Sequence, residues 1–161
     1  MNTQLRPVDH SALKVNQAFI ILLSLLAFVF SAVWLAIVVA VVMLGGTLLR
    51  KPGFIFIYRY LLKPLGIVKP DVLLDNPEPH RFSQAMGSVF MTVGSLLLVF
   101  GLSISGWVLV WIVIALAALN LFGGFCVGCA LYYWLTRLGV PGFTKQPPAG
   151  TFPGTRPKVE V

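Results

Sequence analysis

Charge is scarce in this chain. Charged residues make up 11% of it, with five Asp and Glu against twelve Lys and Arg, whereas a soluble domain carries about a quarter. An ordinary water-exposed surface is therefore excluded. No charged residue falls within either of two long apolar stretches, Val15 to Leu49 and Phe82 to about Trp134. The acids Asp9, Asp71, Asp75, Glu78 and Glu160 all lie outside them, which removes the intramembrane carboxyl that a proton-coupled transporter uses. The chain also lacks a recognisable nucleophile triad, paired catalytic carboxylates, a phosphate-cradling glycine loop and a cofactor fingerprint. Cysteine occurs only twice, at Cys126 and Cys129.

What is present is hydrophobic. A 58% apolar share and a mean hydropathy of +0.90 identify an integral membrane protein. A bilayer core about 30 Å thick takes roughly 20 residues per helix, so the second stretch holds two spans, turning at Gly101 to Gly106. The first stretch has 35 residues. As one helix it would be about 52 Å long, so it is read as two spans turning at Ser31 to Trp34, with a single tilted helix as the alternative. With both stretches as hairpins, Arg6, Lys14, Arg50, Lys51, Arg59, Lys63, Lys69, Arg81, Arg137, Lys145, Arg156 and Lys158 share one side of the membrane, and the tips carry no cation. The positive-inside rule then places both termini in the cytoplasm.

The expected fold is an all-α, four-helix transmembrane bundle made of two tandem helical hairpins with an interfacial amphipathic segment between them. Helices are expected at about 15–31, 34–49, 82–101 and 107–126, followed by a short interfacial helix to about 138. Residues 1–139 form one membrane domain, and 140–161, rich in Pro and Gly, a disordered cytoplasmic tail. A weak internal repeat supports the paired hairpins: "LKVNQAF" at Leu13 is answered by "HRFSQAM" at His80, 67 residues later. Between them, Arg50, Lys51, Tyr58, Arg59 and Lys63, with Phe54, Phe56 and Tyr60, suit a membrane-surface segment whose rings lie at headgroup depth while its cations meet anionic lipid. Flanking spans make nucleic acid an unsuitable partner. Pro70, Pro77 and Pro79 mark an extended linker.

Gln17 and Gln84 hold matching positions in the repeat, and Asn120 precedes the cysteines. Amides in lipid need partners, so these three should point into the bundle, either as helix-to-helix glue and N-terminal caps or as a polar pocket; an oligomer is among the expected assemblies. The Cys126–Cys129 pair falls at the cytoplasmic end of the fourth span, where thiols are kept reduced and a permanent bridge is not expected. If Gly123, Gly124 and Gly128 interrupt the helix, a fresh helix N-terminus would stabilise a thiolate there. Small-residue packing, with Gly124 and Gly128 as a close-approach pair, is the competing reading. Metal binding ranks last, because two thiolates need further ligands and His10 and His80 have no ligand spacing. No cofactor is indicated.

The spaced elements "PVDHSALKVNQAF", "NPEPHRFSQAMG" and "GGFCVGCALYYWLTRLG" resemble, over nearly the whole chain to Gly139, the bacterial integral-membrane family catalogued as domain of unknown function 4395. The resemblance implies a multi-pass protein of the bacterial cytoplasmic membrane and little about activity. The ending "GGFCVGCALYYWLTRLGV" is also similar to the "GFCPLY" tail of membrane segments attached to some rhodanese sulfurtransferases, from which Val127, Gly128 and the second cysteine depart. Three functions follow: a cytoplasm-facing thiol protein exchanging electrons or sulfur with a thioredoxin-like or rhodanese-like partner, a non-catalytic scaffold or accessory subunit, and a small anion carrier. Whether the chain is an enzyme stays open among them.

Overall fold

The computed structural model describes residues 5–157; Lys158 and Glu160, and with them the last four residues of the expected tail, lie outside the described residues. The chain is mostly helical. In order come strand β1 (Arg6–Asp9), helices α1 (His10–Val29) and α2 (Val33–Leu48), a short α3 (Ile55–Ile57) running into a π-turn (Tyr58–Leu62), strand β2 (Val72–Asp75), and helices α4 (Pro77–Val99), α5 (Ser103–Gly123) and α6 (Val127–Arg137). Three helices, α1, α4 and α5, are long and apolar enough to cross a membrane. Helix α2 is equally apolar but has 16 residues, about 24 Å of helix.

The helix starts differ from the expected ones for local reasons. Asp9 caps α1, its carboxylate accepting the Ser11 N–H at 3.1 Å, so α1 begins at His10 rather than near Val15. Pro77 in the first turn and Glu78 beside it start α4 five residues before Phe82. At the far end, α1 closes with Ser31 N–H on Phe28 C=O (3.1 Å) and Ala32 N–H on Ala27 C=O (2.8 Å). Helix α4 closes identically, with Gly101 on Leu98 (3.1 Å) and Leu102 on Leu97 (2.9 Å). Both tips need a left-handed residue. Gly101 (φ 79°) supplies it freely, and Ser31 (φ 48°) does so at a cost of about 1–2 kcal/mol, which is why the first tip shows no Gly or Pro.

The all-α expectation missed a small sheet. β1 and β2 pair antiparallel from Arg6 opposite Asp75 to Asp9 opposite Val72, and strands of four residues are too short to show an alternating pattern. Pro7 faces Leu74, 67 residues on, the offset that separates the two matching sequence segments. Each strand feeds directly into one long helix. Around this base α1 packs on α2, α2 on α4, α4 on α5 and α5 on α1, enclosing Ile20, Val39, Met43, Met91, Val110 and Val113. Outward faces remain apolar, with Leu22, Trp34, Val41, Ile104 and Phe122 exposed; a contiguous apolar exterior of this kind belongs in lipid rather than water.

The interfacial segment is only half as expected. Arg50, Lys51, Arg59, Lys63, Phe56 and Tyr60 are exposed, but Phe54 and Tyr58 are buried. Phe54 stacks on Phe19, and Tyr58 donates to Asp9 Oδ2 at 2.6 Å, tying the π-turn to the α1 cap. Burial, reinforced by the bond to Asp9 and by its charge, pushes the Tyr58 hydroxyl up to about 12. Gly46 permits the chain to return here: a Cβ on it would stand 2.6 Å from Gly53 Cα and 2.7 Å from Gln84 Nε2. Gly46→Ala should therefore destabilise the detergent-solubilised protein by about 1–3 kcal/mol. An unchanged thermal unfolding midpoint would show that this approach is relaxed.

Candidate functional site around the cysteine pair

Helix α5 ends at Gly123, and Gly124 takes the left-handed conformation (φ 64°) that terminates it. The chain then turns, and Cys126 becomes the N-cap of a new helix, α6, with extended backbone and its sulfur accepting the Cys129 N–H at 3.2 Å. The cysteines thus lie beyond the span, not inside its end. Cys126 and Cys129 are joined as a disulfide with Cα atoms 5.2 Å apart. This bridge departs from the sequence expectation, in which thiols at this place stay reduced. Both are nearly buried, at 5% and 3% exposure.

Helix α6 runs antiparallel to the first turns of α4, and the register is set by one close approach. A Cβ on Gly128 would stand 2.8 Å from Ser83 Cα, so glycine alone lets the two backbones meet. Three contacts follow along the seam. Ser83 Oγ lies 3.3 Å from Cys126 Sγ, His80 Nδ1 lies 3.5 Å from Cys129 Sγ, and Asn76 Nδ2 lies 3.3 Å from the Tyr133 hydroxyl. On its other side His80 Nε2 is 2.9 Å from Asp75 Oδ2. A carboxylate, an imidazole and a sulfur therefore stand in line, although residues 75, 80 and 129 show no motif in sequence.

Asp75 is the electrostatic centre. It is buried, its Oδ1 accepts the Asn76 N–H at 2.7 Å, and its Oδ2 also lies 3.3 Å from His10 Nε2. Burial raises its pKa, but hydrogen bonds from His10 and His80, the His80 charge and the Asn76 amide outweigh that, and the carboxyl is held well below the usual carboxylate range. Nε2 of His80 thus faces Asp75 and Nδ1 faces Cys129, so a His80 that donates to Asp75 from Nε2 in its neutral form would present the Nδ1 lone pair to the sulfur. His10, Asp75 and His80 also offer two imidazole nitrogens and a carboxylate oxygen within 4.8 Å of one another, a donor set of the kind that holds a divalent ion. The spacing judged unsuitable for ligands is reached through the strand pairing that brings His10 beside Asp75.

Two cavities meet at Cys126. One, about 300 Å³, is polar and bounded by His10, Asp75, His80, Cys129 and Arg156. The other, about 220 Å³, reaches up between α1, α4, α5 and α6 and is mostly apolar. Gln17, Gln84 and Asn120 all border the second, and Gln17 and Asn120 border both. Gln84 is committed elsewhere, donating to Lys51 C=O at 2.9 Å, so it clamps α4 to the end of α2. No hydrogen bond to the Gln17 or Asn120 side chain occurs among the described residues.

The segment after Val140, expected to be disordered, has no helix or strand but is packed down to Pro157. Phe143 meets Phe82 and Tyr132 edge-on, Asn76 donates to Gln146 C=O at 2.7 Å, Cys126 N–H donates to Gly154 C=O at 2.7 Å, and Arg156 pairs with Asp71. Proline and glycine remove helix and sheet without removing specific contacts. This strap walls the polar cavity over Cys126. Ending the chain at Pro148 should speed reduction of the disulfide by dithiothreitol several-fold in an alkylation time course; an unaltered rate would show that the strap does not limit access.

The chain belongs to the family described as Domain of unknown function (DUF4395), whose model matches residues 8–137 and so spans His10, Asp75, His80, Cys126 and Cys129. No curated protein and no solved structure matches it. The similarity to rhodanese-attached segments finds no support in these comparisons.

Proposed function

We propose that this family member is a membrane thiol–disulfide exchange protein, with four spanning helices in two repeated hairpins and with Cys126 and Cys129 as its reactive pair. The observation that carries the reading is the placement of both sulfurs. Cys126 caps an 11-residue helix, where the dipole and the Cys129 N–H favour a thiolate. Cys129 faces an imidazole oriented by a buried carboxylate.

In the reduced state the Cys126 thiolate attacks a partner disulfide, forming a mixed disulfide and releasing one partner thiolate. His80 Nδ1 accepts the Cys129 proton, and the Cys129 sulfur attacks Cys126 Sγ. The intramolecular disulfide forms, and the second partner thiol leaves. Run backwards, the same steps oxidise a partner dithiol. The partner is proposed to be a soluble thioredoxin-like protein, or a rhodanese-like one delivering sulfur as a persulfide, that meets the basic membrane face beside the polar cavity. Cations at that face also suit anionic lipid.

Placing that face in the cytoplasm rests on the positions of the cations: the described Lys and Arg all lie away from the tips at Phe30–Ala32 and Phe100–Leu102. In a background with both cysteines replaced by Ser, an impermeant maleimide applied outside should label Ser103→Cys and spare Thr144→Cys. Labelling of the second would invert the topology. The function itself is tested by pre-reducing the purified protein and adding the oxidised partner protein: one equivalent of partner should be reduced as both protein thiols disappear. If both thiols stay free, the exchange reading falls. A scaffold is then the better account, favoured by the Gly128–Ser83 contact that ties α6 to α4. Anion transport is disfavoured, because Val39, Met91, Val110 and Val113 fill the path between the cavities and the tips.

A further inference from the structure

We propose that the apolar cavity between α1, α4, α5 and α6 is a binding site for the ring of a lipid-soluble quinone, which exchanges two electrons with the Cys126–Cys129 pair. The proposal rests on the thiol-exchange reading and adds the second redox partner. Three features of the cavity point to this chemistry.

First, the cavity touches a reactive sulfur from inside the membrane. Cys126 and Ser83 form part of its wall, while Cys129 faces only the polar cavity on the other side. The disulfide therefore stands between a polar compartment beneath the strap and an apolar one between the helices. A redox molecule reaching Cys126 through the second compartment must be soluble in lipid.

Second, the polar groups are gathered at the cysteine end. Gln17, Asn120 and Ser83 stand there, and Ile20, Phe90 and Ala117 line the remainder. The half-buried Gln17 and Asn120 amides have no protein hydrogen-bond partner among the described residues and border the cavity, so their N–H groups are free to donate to a ligand there. A flat apolar ring with carbonyl oxygens satisfies both ends, since amide N–H groups donate to the oxygens and the aliphatic wall packs the ring. A fatty acyl chain would leave the amides unpaired, and a hydrophilic redox carrier would leave the aliphatic wall facing polar groups.

Third, the cavity opens sideways. Met86, Leu116, Val127 and Leu131 line it and are each more than one third exposed. Its volume of about 220 Å³ is below the roughly 300–1,000 Å³ of sites that enclose a drug-sized ligand. It takes a ring and leaves an isoprenoid tail in the bilayer.

The step balances as follows. The Cys126 thiolate adds to a quinone ring carbon, forming a C–S bond and placing the electron pair on the ring oxygens. The Cys129 thiolate attacks Cys126 Sγ, forming the S–S bond and breaking the C–S bond, whose electrons remain on the ring. The two protons of the original thiols end on the two oxygens. One dithiol and one quinone give one disulfide and one quinol.

The test uses the full chain in detergent, pre-reduced and freed of reductant under anaerobic conditions, then mixed with a short-tailed ubiquinone or, separately, a short-tailed menaquinone. One mole of quinol per mole of protein is expected, with both thiols lost to alkylation. Ala117→Phe, which fills the cavity, and Leu116→Trp, which narrows its exposed mouth without touching the core, should each slow quinone reduction at least tenfold. Both should leave dithiothreitol reduction of the disulfide within twofold. The proposal is overturned if reduced wild-type protein is reoxidised by a soluble disulfide but by neither quinone, or if both variants reduce quinone at the wild-type rate. If neither quinone nor soluble disulfide oxidises the thiols, it is the thiol reading itself that fails.

Discussion

Cys129→Ser should accumulate a mixed disulfide between Cys126 and its soluble partner, whereas Cys126→Ser should trap nothing and exchange at a rate at least about a thousandfold below wild type. The asymmetry follows from position. Cys126 holds the helix N-terminus and borders both cavities, which in the proposed exchange makes its thiolate the attacking species. Cys129 faces His80 and acts only after the mixed disulfide exists, so its loss halts the second step without the first. The stability change should be modest. A bridge across so short a loop contributes about 2 kcal/mol in the chain-entropy account. Intact-mass analysis of acid-quenched membranes resolves the adduct. Equal trapping by both variants would show that neither sulfur is favoured by its surroundings, and the capping argument would go with it.

Asp75→Asn should cost about a hundredfold in the rate of Cys129 attack while leaving alkylation of reduced Cys126 within twofold. The carboxylate holds His80 with its proton on Nε2; an amide N–H at that place turns the ring to the other tautomer and points a donor at the sulfur. General-base contributions of this kind are typically 10²–10⁴-fold. His80→Gln should show the same separation of the two steps. Both changes also leave buried polar groups short of a partner, a penalty of about 1–3 kcal/mol.

The acid limb of the stability profile gives an independent reading. The Asp75 pKa is lower in the folded protein than in the unfolded chain, so its contribution to stability is complete above the unfolded value of about 4 and disappears as pH falls below that toward the folded value. Wild type should therefore lose stability below about pH 4 more steeply than Asp75→Asn in the same detergent. Parallel profiles would mean that the imidazoles do not hold the carboxylate ionised. Treatment with a chelator should leave the exchange rate unaltered; a loss restored by zinc would instead give His10, Asp75 and His80 to a metal.

Sequence alone settled those features that depend on counting charges and apolar residues along the chain. The two apolar stretches and the turn at Gly101 follow from composition and local backbone preference, properties that act within a few residues, and the family from three motifs in order. The turn at Ser31, which has no Gly or Pro, and the break at Gly124 are open alternatives in the sequence, decided by the left-handed residues at those places. Which of the two cysteines caps the new helix is not legible in the sequence, and the structure gives that place to Cys126.

What needed the tertiary structure is the remainder of the site. Asp75 and His10 approach because Arg6–Asp9 pairs with Val72–Asp75, a contact between residues more than 60 positions apart whose strands are too short to announce themselves. His80 meets Cys129 because Gly128 allows α6 to lie directly on α4. The matching glutamines look equivalent in the repeat, yet Gln84 bonds the Lys51 carbonyl while Gln17 borders both cavities, because only one of them faces the end of α2. Side-chain roles at a membrane site are set by which helix comes close and at what height, and that is decided by packing across the bundle rather than by the order of residues within any one helix.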